Sequence, residues 1–494
     1  MNTYELLSSI RIKETYGILP EKISAIHQDS RKVSANTLFV CIDGYTVDGH
    51  NYCYQAIERG ATIVVAEKKL SIDYNKVPLV VVDDTKKALS IIANKFYGFP
   101  STKLILFGVT GTNGKTTVTS LIKSMLQKSG HTAALSGTTG LEVGNDLFTS
   151  ENTTSDALTN QHLLHHVLEK NIDHVVMEVS SQGLSEGRLW GVDFDIVTFT
   201  NLTHDHLDYH GTMEQYGYVK SVLFSQLGNR MTNPKFAILN QDDPWSMLYR
   251  NITAAEVITY GIHEQASFNA ANIRHYEDRT FFTLHSPEGA FQTEMKLLGE
   301  FNIYNVLAAI TSLYAKGLSI SSLVDMLKEI EPIQGRMEKI TIQAPITMYV
   351  DYAHTPDAIE KSISTVLPFK KSRLIYMAST GGDRDAYKRP LIAEKASAAD
   401  IVILTINDPR YEDTELVLKE MEKGMLHNNY VLIADRKEAI SYAIEISEPG
   451  DVLVFAGKGR EDYQIINNEK LPHSDLTIAT EQCQHKYHDS ASSF

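Results

Sequence analysis

The sequence has few cysteines and no long apolar run. Its 494 residues include three cysteines, Cys41, Cys53 and Cys483. An odd number without metal-ligand spacing argues against a disulfide framework and predicts free thiols in a reducing compartment. No segment approaches the roughly 20 apolar residues of a membrane span, and the start, Met1–Ile10, lacks the layout of a signal peptide. We therefore expect a cytoplasmic protein without membrane insertion.

Positive charge is also scarce. The chain carries 46 lysines and arginines against 61 acidic residues, a net charge of −15. This balance disfavours nonspecific binding of nucleic acid, although a local basic pocket can still hold an anion. A hydrophobic content of 43% with 22% charged residues is typical of a globular protein. The length predicts about three domains.

Apolar runs alternate with helix-length segments along most of the chain, which predicts the α/β class. We expect a small α/β domain at 1–99, a central domain with a mostly parallel sheet at 100–333 and a Rossmann-like domain at 334–494. Strands of the central sheet are predicted at Leu104–Thr110, His174–Val179, Ile196–Thr200 and Phe236–Leu239. Those of the last domain are predicted at Thr347–Val350, Leu374–Met377, Ile401–Thr405, Tyr430–Ala434 and Val452–Ala456.

A phosphate-binding loop is the strongest motif. An apolar strand leads into Gly108–Thr117, and a segment suited to a helix follows. Glycines let backbone N–H groups close around phosphate oxygens, Lys115 supplies charge to the β- and γ-phosphates, and the Thr116 hydroxyl suits Mg²⁺. The common pattern has glycine where this chain has Val109. The loop therefore indicates a nucleotide and leaves the reaction open.

Two further strand ends carry polar groups. Glu178 follows one apolar run and His206 lies shortly after another. A carboxylate and an imidazole at neighbouring strand ends can hold a hard cation beside a nucleotide, although Mg²⁺ prefers oxygen ligands. The alternative is that His206 caps a helix or hydrogen-bonds a loop. Zinc is disfavoured because no cysteine lies nearby.

Cations recur in the last third of the chain. Most stand near predicted strand ends, as do Asp351 and His354 in the same region. The cations are Arg336, Arg384, Lys388, Arg389, Arg410, Lys458 and Arg460. Solvated loop charge explains any single one, but together they indicate a pocket for carboxylates or phosphates. For Lys220, in contrast, composition alone predicts an exposed lysine on the surface of a helix.

These motifs, in order and spacing, resemble those of the Mur ligases, and most of all the branch that adds the third residue of the peptidoglycan stem peptide. The likeness runs from about Asp29 to about Asp475. The family's phosphate loop has the same residues as Thr110–Thr116, and it does not require glycine at the position of Val109. Asp205–Gly211 and Asp351–His354 are further matches.

The resemblance implies an ATP-dependent ligase with two Mg²⁺ ions and small-molecule substrates, and we expect a monomer. Residues implied to contact ATP are Gly111, Thr112, Asn113, Gly114, Lys115, Thr116, Thr117, Asn302, Asn305, Arg336 and Asp351. Implied metal ligands are Thr116, Glu178, His206 and Lys220, the last as a carbamylated lysine. Catalytic roles fall to Lys115, Lys220, His206 and His354.

The resemblance also implies two further substrates. A UDP-MurNAc-dipeptide would be held by Ser30, Asn152, Thr153, Thr154, Ser180 and Arg188. A diamino acid would be held by Arg384, Asn407, Asp408, Arg410, Gly457 and Glu461. The expected reaction joins the two through an acyl phosphate, with the last domain closing over ATP. His354 or a water would take the proton of the incoming amine.

The chain departs from the family pattern at several positions. Gln182 replaces a histidine, Glu186 a glutamine and Arg460 a histidine, and Asp408 stands where Asn is usual before Pro-Arg. Arg410 favours meso-diaminopimelate, because an arginine facing the ammonium group of lysine would be unpaired. Asp408 favours lysine, since it can pair with the arginine and leave room for a cation. Because Arg384 and Arg410 together suit the distal carboxylate, we expect meso-diaminopimelate, with lysine or another diamino acid as the alternative.

Three other functions remain open from the sequence. One is a ligase of another carboxylate, such as a folylpolyglutamate-type enzyme, which the Asp29–Arg31 region argues against. Another is a nucleotide switch, which lacks the Asn-Lys-x-Asp motif of GTPases. The third is a degenerate Mur homologue that binds nucleotide without catalysis.

Overall fold

A computed structural model describes residues 1–44, 47–138, 140–144, 146–149, 152–229, 233–467 and 469–487. These residues form three α/β domains, each built on its own principal sheet. The expected fold class is confirmed. Within the described residues no helix combines the length and apolar content needed to cross a membrane.

The first domain has a five-stranded sheet in the order β1-β5-β4-β3-β2. Its strands are β1 Glu14–Tyr16, β2 Ala25–His27, β3 Thr37–Val40, β4 Ala61–Ala66 and β5 Leu79–Val81, and its helices are α1 Thr3–Leu7, α2 Cys53–Glu58 and α3 Thr85–Phe96. Only β1 runs antiparallel to its neighbour. The apolar runs of β3 and β4 are buried on both faces, as parallel strands covered by helices require.

The second domain is built on an eleven-stranded sheet in the order β16-β15-β14-β13-β12-β11-β6-β10-β7-β8-β9. Its strands are β6 Ile105–Thr110, β7 Ala133–Gly137, β8 Gly140–Val143, β9 Asp146–Phe148, β10 His174–Glu178, β11 Ile196–Phe199, β12 Phe236–Asn240, β13 Glu256–Gly261, β14 Phe268–His275, β15 Thr280–Ser286 and β16 Gly289–Met295. Its helices are α4 Lys115–Lys128, α5 Ala157–Glu169, α6 Ser181–Ser185, α7 Leu207–His210, α8 Met213–Gln226, α9 Trp245–Ile252, α10 Glu300–Lys316 and α11 Ile320–Lys328. The four predicted central strands are present.

The parallel centre of this sheet positions the site. Strands β7, β10, β6, β11 and β12 run parallel, so their carboxyl ends meet at one edge. Helices α4 and α10 pack on one face over a continuous apolar core. The phosphate loop follows β6, and Glu178 ends the neighbouring β10. Ligands of open α/β sheets collect at such an edge.

The third domain carries a six-stranded sheet in the order β17-β18-β22-β19-β20-β21 and a separate hairpin, β23-β24. Its strands are β17 Glu338–Lys339, β18 Thr347–Asp351, β19 Leu374–Thr380, β20 Ile401–Ile406, β21 Tyr430–Leu432, β22 Val452–Ala456, β23 Tyr463–Ile466 and β24 Glu469–Pro472. Its helices are α12 Pro356–Val366, α13 Lys388–Ala396, α14 Thr414–Glu422, α15 Arg436–Glu445 and α16 Asp475–Tyr487. All five predicted strands are present, and β18, β22, β19, β20 and β21 are parallel.

One buried histidine makes stability depend on pH. His174 begins β10 and is 2% exposed, and burial, together with the neighbouring His131, lowers its pKa to about 4. Below pH 6.5 the unfolded chain takes up a proton that the folded chain resists until about pH 4, so stability is lost over that interval. We expect about 2 kcal/mol of this loss between pH 7 and pH 5.

Urea denaturation of wild type and His174→Phe at both pH values measures this contribution. The phenylalanine fills the site without titrating, so the variant should lose less stability on acidification, while the other histidines are common to both proteins. An equal loss in the two proteins would contradict the prediction.

Candidate active site

The phosphate loop requires glycine at two positions. Gly111 and Gly114 have φ of 150° and 89°. A Cβ on Gly111 would lie 1.9 Å from Thr200 Oγ1, and one on Gly114 would lie 2.4 Å from Asn305 Oδ1. Val109 instead lies buried inside β6, where glycine is not needed. Helix α4 starts at Lys115, so the amides of its first turn face the loop.

Lys115 folds over the loop that precedes it. Its Nζ donates to the carbonyls of Gly111 and Thr112, both at 2.8 Å. Burial lowers its pKa, and the carboxylates of Glu178 and Asp205 act in the opposite direction. A lysine held at the loop mouth by main-chain carbonyls is poised to exchange them for phosphate oxygens.

Glu178 fits a divalent cation. It is 1% exposed; its oxygens accept from Thr116 Oγ1 at 3.1 Å and from the amide and hydroxyl of Thr138, both at 3.2 Å. None of the described lysines or arginines forms an ion pair with it. Oxygen donors around an uncompensated carboxylate suit Mg²⁺. No three described His, Cys, Asp or Glu side chains cluster tightly enough to cage a metal, so remaining ligands would be hydroxyls, phosphates or water.

His206 lies beside this centre with a left-handed backbone, φ 55°. It occupies the position before α7, but its side chain makes no capping hydrogen bond. Its Nε2 is 3.4 Å from Asp205 Oδ2. Burial and the charges of Lys115 and Lys220 lower its pKa, against the effect of Asp205, which favours a neutral ring. The structure does not bring it into hydrogen-bonding contact with Glu178.

Lys220 is buried, so the composition-based expectation of a surface lysine is wrong. Its side chain is 1% exposed; Nζ donates to Gly111 O at 3.1 Å and lies 4.6 Å from the centre of the Tyr216 ring. Burial, followed by the charge of Lys115, holds its pKa well below the usual value. Tyr216, Lys220 and Phe224 share one buried face of α8 at a spacing of four residues, a signal visible in the sequence.

A cavity of about 510 Å³ opens between the phosphate loop, α10 and the third domain. Its lining includes Asn113, Tyr304, Asn305, Arg336, Asp351 and His354. Asn302 lies behind this wall, because its Oδ1 accepts from Asn305 Nδ2 at 2.9 Å and its own Nδ2 donates to Leu298 O at 2.8 Å. Asp242, which no sequence motif indicated, also lines the cavity, and its carboxylate accepts from Tyr304 OH at 2.7 Å.

The third domain contacts the phosphate loop directly. Asn113 Nδ2 donates to Asp357 Oδ2 at 2.9 Å, and Arg336 Nη2 donates to Thr116 Oγ1 at 3.0 Å. A third contact joins Lys388 Nζ to Asp205 Oδ1 at 3.3 Å. Asp205 and Asp357 were not predicted, because their partners are close only after the domains meet.

Two carboxylates near the closed interface respond differently to burial. Burial alone would raise the pKa of Asp205, but Lys388, His206 and His354 hold it below the usual range. Burial raises the pKa of Asp351, whose Oδ1 accepts from the amides of Met337 and Tyr352. Asp351 therefore orders the chain at the cavity wall.

His354 is a weak base in this arrangement. Its Nδ1 lies 2.8 Å from Tyr352 O, so Nδ1 carries the proton and Nε2 is the acceptor. Burial and the charge of Lys388 lower its pKa to about 4. The ring is therefore neutral at pH 7 and binds an additional proton only weakly.

The segments expected to hold the dipeptide form one network around β10. Thr154 Oγ1 donates to Glu178 O and accepts from Ser180 N. Arg188 donates to Thr154 O at 2.8 Å and pairs with Glu186 at 2.9 Å. The charge of the Glu186 carboxylate is therefore paired with Arg188.

Three other residues were expected to hold the dipeptide, and two of them adjoin this network in the chain. Asn152 and Thr153 precede it, with Thr153 Oγ1 3.2 Å from Thr138 Oγ1. Ser30 lies in the first domain and donates to Gln55 Oε1 at 2.6 Å.

Arg384 and Arg410 converge at the mouth of the third sheet. A Cβ on Gly381 would lie 2.9 Å from Arg410 Nη1 and 3.6 Å from Arg384 Cγ. Burial and the charge of Arg384 lower the pKa of Arg410. Asp408 offsets this charge only in part, because its Oδ2 is 4.0 Å from Arg410 Nη2 while its Oδ1 pairs with Lys458.

Buried Lys458 forms ion pairs with two neighbouring carboxylates. Its Nζ lies 2.9 Å from Asp408 Oδ1 and 2.7 Å from Glu461 Oε2. Asn407 is held inside the domain by Arg436 and Gly457. Gly457 has φ 111°, and a Cβ there would lie 2.1 Å from Ser379 Oγ. Of the two arginines expected to contact the amino acid, Arg384 has an exposed side chain and Arg410 has a 4.0 Å ion pair with Asp408.

A phosphate loop at the edge of a parallel sheet, closed by a second α/β domain, defines a nucleotide-dependent enzyme that works between domains. Family profiles match at residues 22–97 (Mur ligase family, catalytic domain), 109–313 (Mur ligase middle domain) and 335–459 (Mur ligase, glutamate ligase domain). The chain belongs to the Mur ligase family, whose members are ATP-dependent, ADP-forming amide ligases that use Mg²⁺ in peptidoglycan synthesis.

Three relatives share nearly the whole chain. UDP-N-acetylmuramyl-tripeptide synthetase 2 of Oceanobacillus iheyensis is 52% identical, covering 97% of this chain and 98% of its own. The UDP-N-acetylmuramoyl-L-alanyl-D-glutamate–2,6-diaminopimelate ligase of Geobacillus kaustophilus is 45% identical, over 92% and 94%. The corresponding L-lysine ligase of Staphylococcus haemolyticus is 40% identical, over 99% of each. A solved diaminopimelate ligase has a TM-score of 0.68 at 30% identity, over 98% of this chain and 99% of its own.

Proposed function

We propose that the enzyme joins the γ-carboxyl group of UDP-MurNAc-L-Ala-D-Glu to an amine of meso-diaminopimelate, with ATP converted to ADP and phosphate. The observation that carries this choice is the convergence of Arg384 and Arg410 at Gly381 while Asp408 is held by Lys458. meso-Diaminopimelate has a distal carboxylate to pair with these arginines, whereas lysine has none.

Each domain takes one substrate in this proposal. Residues 1–99 hold the UDP portion, 100–333 hold ATP, and 334–494 hold the amino acid. Ser30 lies in the first of these regions, the phosphate loop in the second and Arg410 in the third. We place the enzyme in the cytoplasm as a monomer that acts on small molecules.

The reaction follows from the loop geometry. The substrate carboxylate attacks the γ-phosphate to give an acyl phosphate, while Lys115 and the amides of α4 offset the charge on the transferring group. Mg²⁺, held by Thr116 and Glu178, would supply further positive charge to the phosphate oxygens. The contacts of Asn113 with Asp357 and of Lys388 with Asp205 exclude water from the reactive intermediate.

The amine then attacks the acyl phosphate as a neutral group. It loses a proton, and the tetrahedral intermediate expels phosphate to leave the amide. Because burial lowers the pKa of His354 to about 4, we assign the proton to water in the first instance, with Nε2 of His354 as a transient acceptor.

The deciding assay mixes the UDP-MurNAc-dipeptide and ATP with diaminopimelate, lysine or ornithine in turn and measures phosphate release. We expect release with diaminopimelate. Release with lysine alone would favour the activity named for the staphylococcal relative. Release with none of the amines would sink the ligase assignment and favour a nucleotide-binding homologue without catalysis.

Lys220 is also proposed to carry a carbamate. Burial lowers the pKa of this amine, which favours the neutral form that reacts with CO₂. Its contact with Gly111 O places the lysine at the phosphate loop, where a carbamate would supply an oxygen ligand for Mg²⁺. We expect a carbamate resonance in a ¹³C NMR spectrum recorded with labelled bicarbonate. The resonance should vanish in Lys220→Ala and persist in Lys128→Ala on the surface of α4; its presence in both variants would contradict the assignment.

A further inference from the structure

The connection between the second and third domains is a tight turn at Gly335–Met337. Gly335 has φ 69° and Met337 has φ 46°. Left-handed backbone is unfavourable for methionine, so such a turn persists only where its surroundings hold it. The turn matters because it carries Arg336. This side chain donates to Thr116 Oγ1 at 3.0 Å and stacks 4.3 Å from the centre of the Tyr352 ring.

One side of the turn is held by the core of the third domain. The Met337 amide donates to Asp351 Oδ1 at 3.2 Å. Its side chain is 3% exposed and packs into that domain's apolar core. This side would stay in place if a surface ion pair were removed.

The other side is held by Arg460 through Glu338. The Gly335 amide donates to Glu338 Oε2 at 2.7 Å. The same oxygen accepts from Arg460 Nε at 2.7 Å, and Arg460 Nη2 donates to the second oxygen. The backbone also packs closely, since a Cβ on Gly335 would lie 2.6 Å from Arg460 N. A bidentate guanidinium fixes the plane of a carboxylate, which a single-point donor cannot do.

We infer that Arg460 is a positioning residue for nucleotide binding, which acts through Glu338 on the interdomain turn and so aims Arg336 at Thr116. The inference rests on the proposed use of ATP at the phosphate loop. Its neighbour Glu461 faces the expected amino-acid pocket, which makes direct contact with the diamino acid the rival role. The structure argues against that role because Arg460 is committed to Glu338.

The test compares Arg460→Met with Arg279→Met. Arg279 is a matched control, because its side chain is 45% exposed against 39% for Arg460 and is likewise paired with acidic groups. Isothermal titration with a non-hydrolysable ATP analogue and Mg²⁺ gives Kd, and steady-state assays give KM for ATP and for diaminopimelate. For Arg460→Met we expect Kd and KM for ATP to rise about tenfold, with KM for diaminopimelate changed less than about twofold. Arg279→Met should match wild type.

Two further variants separate positioning from a general loss of structure. Glu338→Gln should weaken nucleotide binding in the same way, and the double variant Arg460→Met with Glu338→Gln should be no weaker than the worse single variant. Arg460→Lys keeps the charge without the fork and should restore binding only in part. It replaces Arg460→Met if melting shows that variant to be unfolded.

Several results would overturn the inference. One is unchanged nucleotide binding in folded Arg460→Met. Another is a rise in KM for diaminopimelate alone, which would assign Arg460 to the amino acid. Additive effects in the double variant would show that the two residues act separately. The titration arm needs no turnover, so an inactive wild type would reject the proposed function without deciding this one.

Discussion

Replacement of Lys115 by alanine is expected to lower phosphate release by roughly 10³-fold, because the charge that meets the transferring phosphoryl group is removed. The folded state should survive. Lys115 is a half-buried ammonium that donates to two loop carbonyls, Gly111 O and Thr112 O. Its removal also removes the unfavourable burial of a charge, which offsets the lost hydrogen bonds. Stopped-time phosphate assays at saturating substrates measure the effect.

Lys128→Ala is the matched control for this change. It removes a lysine from the last turn of the same helix, where the side chain pairs with Glu329 on the surface. That variant should turn over at the wild-type rate, and both should melt within a few degrees of wild type. Near-normal turnover by Lys115→Ala would remove the phosphate loop from the mechanism.

The sequence predicts the sheet centre and the loop because both depend on local pattern. Apolar runs such as 105–110 and 174–178 are long enough to predict strands. The polar residues that follow them mark where each strand ends and the next turn begins. Gly111 and Gly114 indicate the positive φ of the loop by residue type alone. The antiparallel strands β14–β16 and the hairpin β23–β24 were not predicted, because their partly exposed faces lack a continuous apolar run.

Contacts between domains could not be predicted in the same way. Lys388 and Asp205 are 183 residues apart, and the sequence around either residue gives no signal that the two are in contact. Lys220 shows the opposite case. Its burial was available from the apolar face of α8, but the ordinary preference of lysine for solvent outweighed that signal. Family resemblance corrected the expectation, and the structure supplies its physical basis in the contact with Gly111.

In the amino-acid pocket, the exchanged pair Asn407 and Asp408 leaves the partner of Arg410 ambiguous from the sequence alone. From the sequence, Asp408 can neutralise Arg410 and so favour lysine. In the structure Asp408 Oδ1 instead accepts from Lys458 Nζ and from the amide of Ile465, both at 2.9 Å. The competing cation comes from a different strand end, 50 residues further along the chain. The charge count made from the sequence already favoured diaminopimelate, and the contacts of Asp408 with Lys458 and Ile465 support that proposal.

Arg410→Asn should lower kcat/KM for diaminopimelate by roughly 10²- to 10³-fold, since a carboxylate would lose its charged partner in a half-buried site. Asparagine is the replacement of choice because Arg410 has φ 52°, a left-handed conformation that asparagine tolerates. The lost contact with Gly382 O, at 2.8 Å, is a single part-buried hydrogen bond to a loop carbonyl, and its loss should leave the fold intact. Arg384→Ala should act in the same direction with a smaller effect, because that side chain is exposed.

Lysine serves as the internal control, since it lacks the distal carboxylate that Arg410 is proposed to bind. Any lysine activity should stay level or rise in Arg410→Asn, because removal of one cation eases the approach of an ammonium group to Glu461. The ratio of kcat/KM for the two amines, measured in wild type and variant, therefore isolates the charge pairing from general damage. A parallel fall for both amines would mean that Arg410 shapes the loop rather than selecting the substrate, and the preference for diaminopimelate would then need another source.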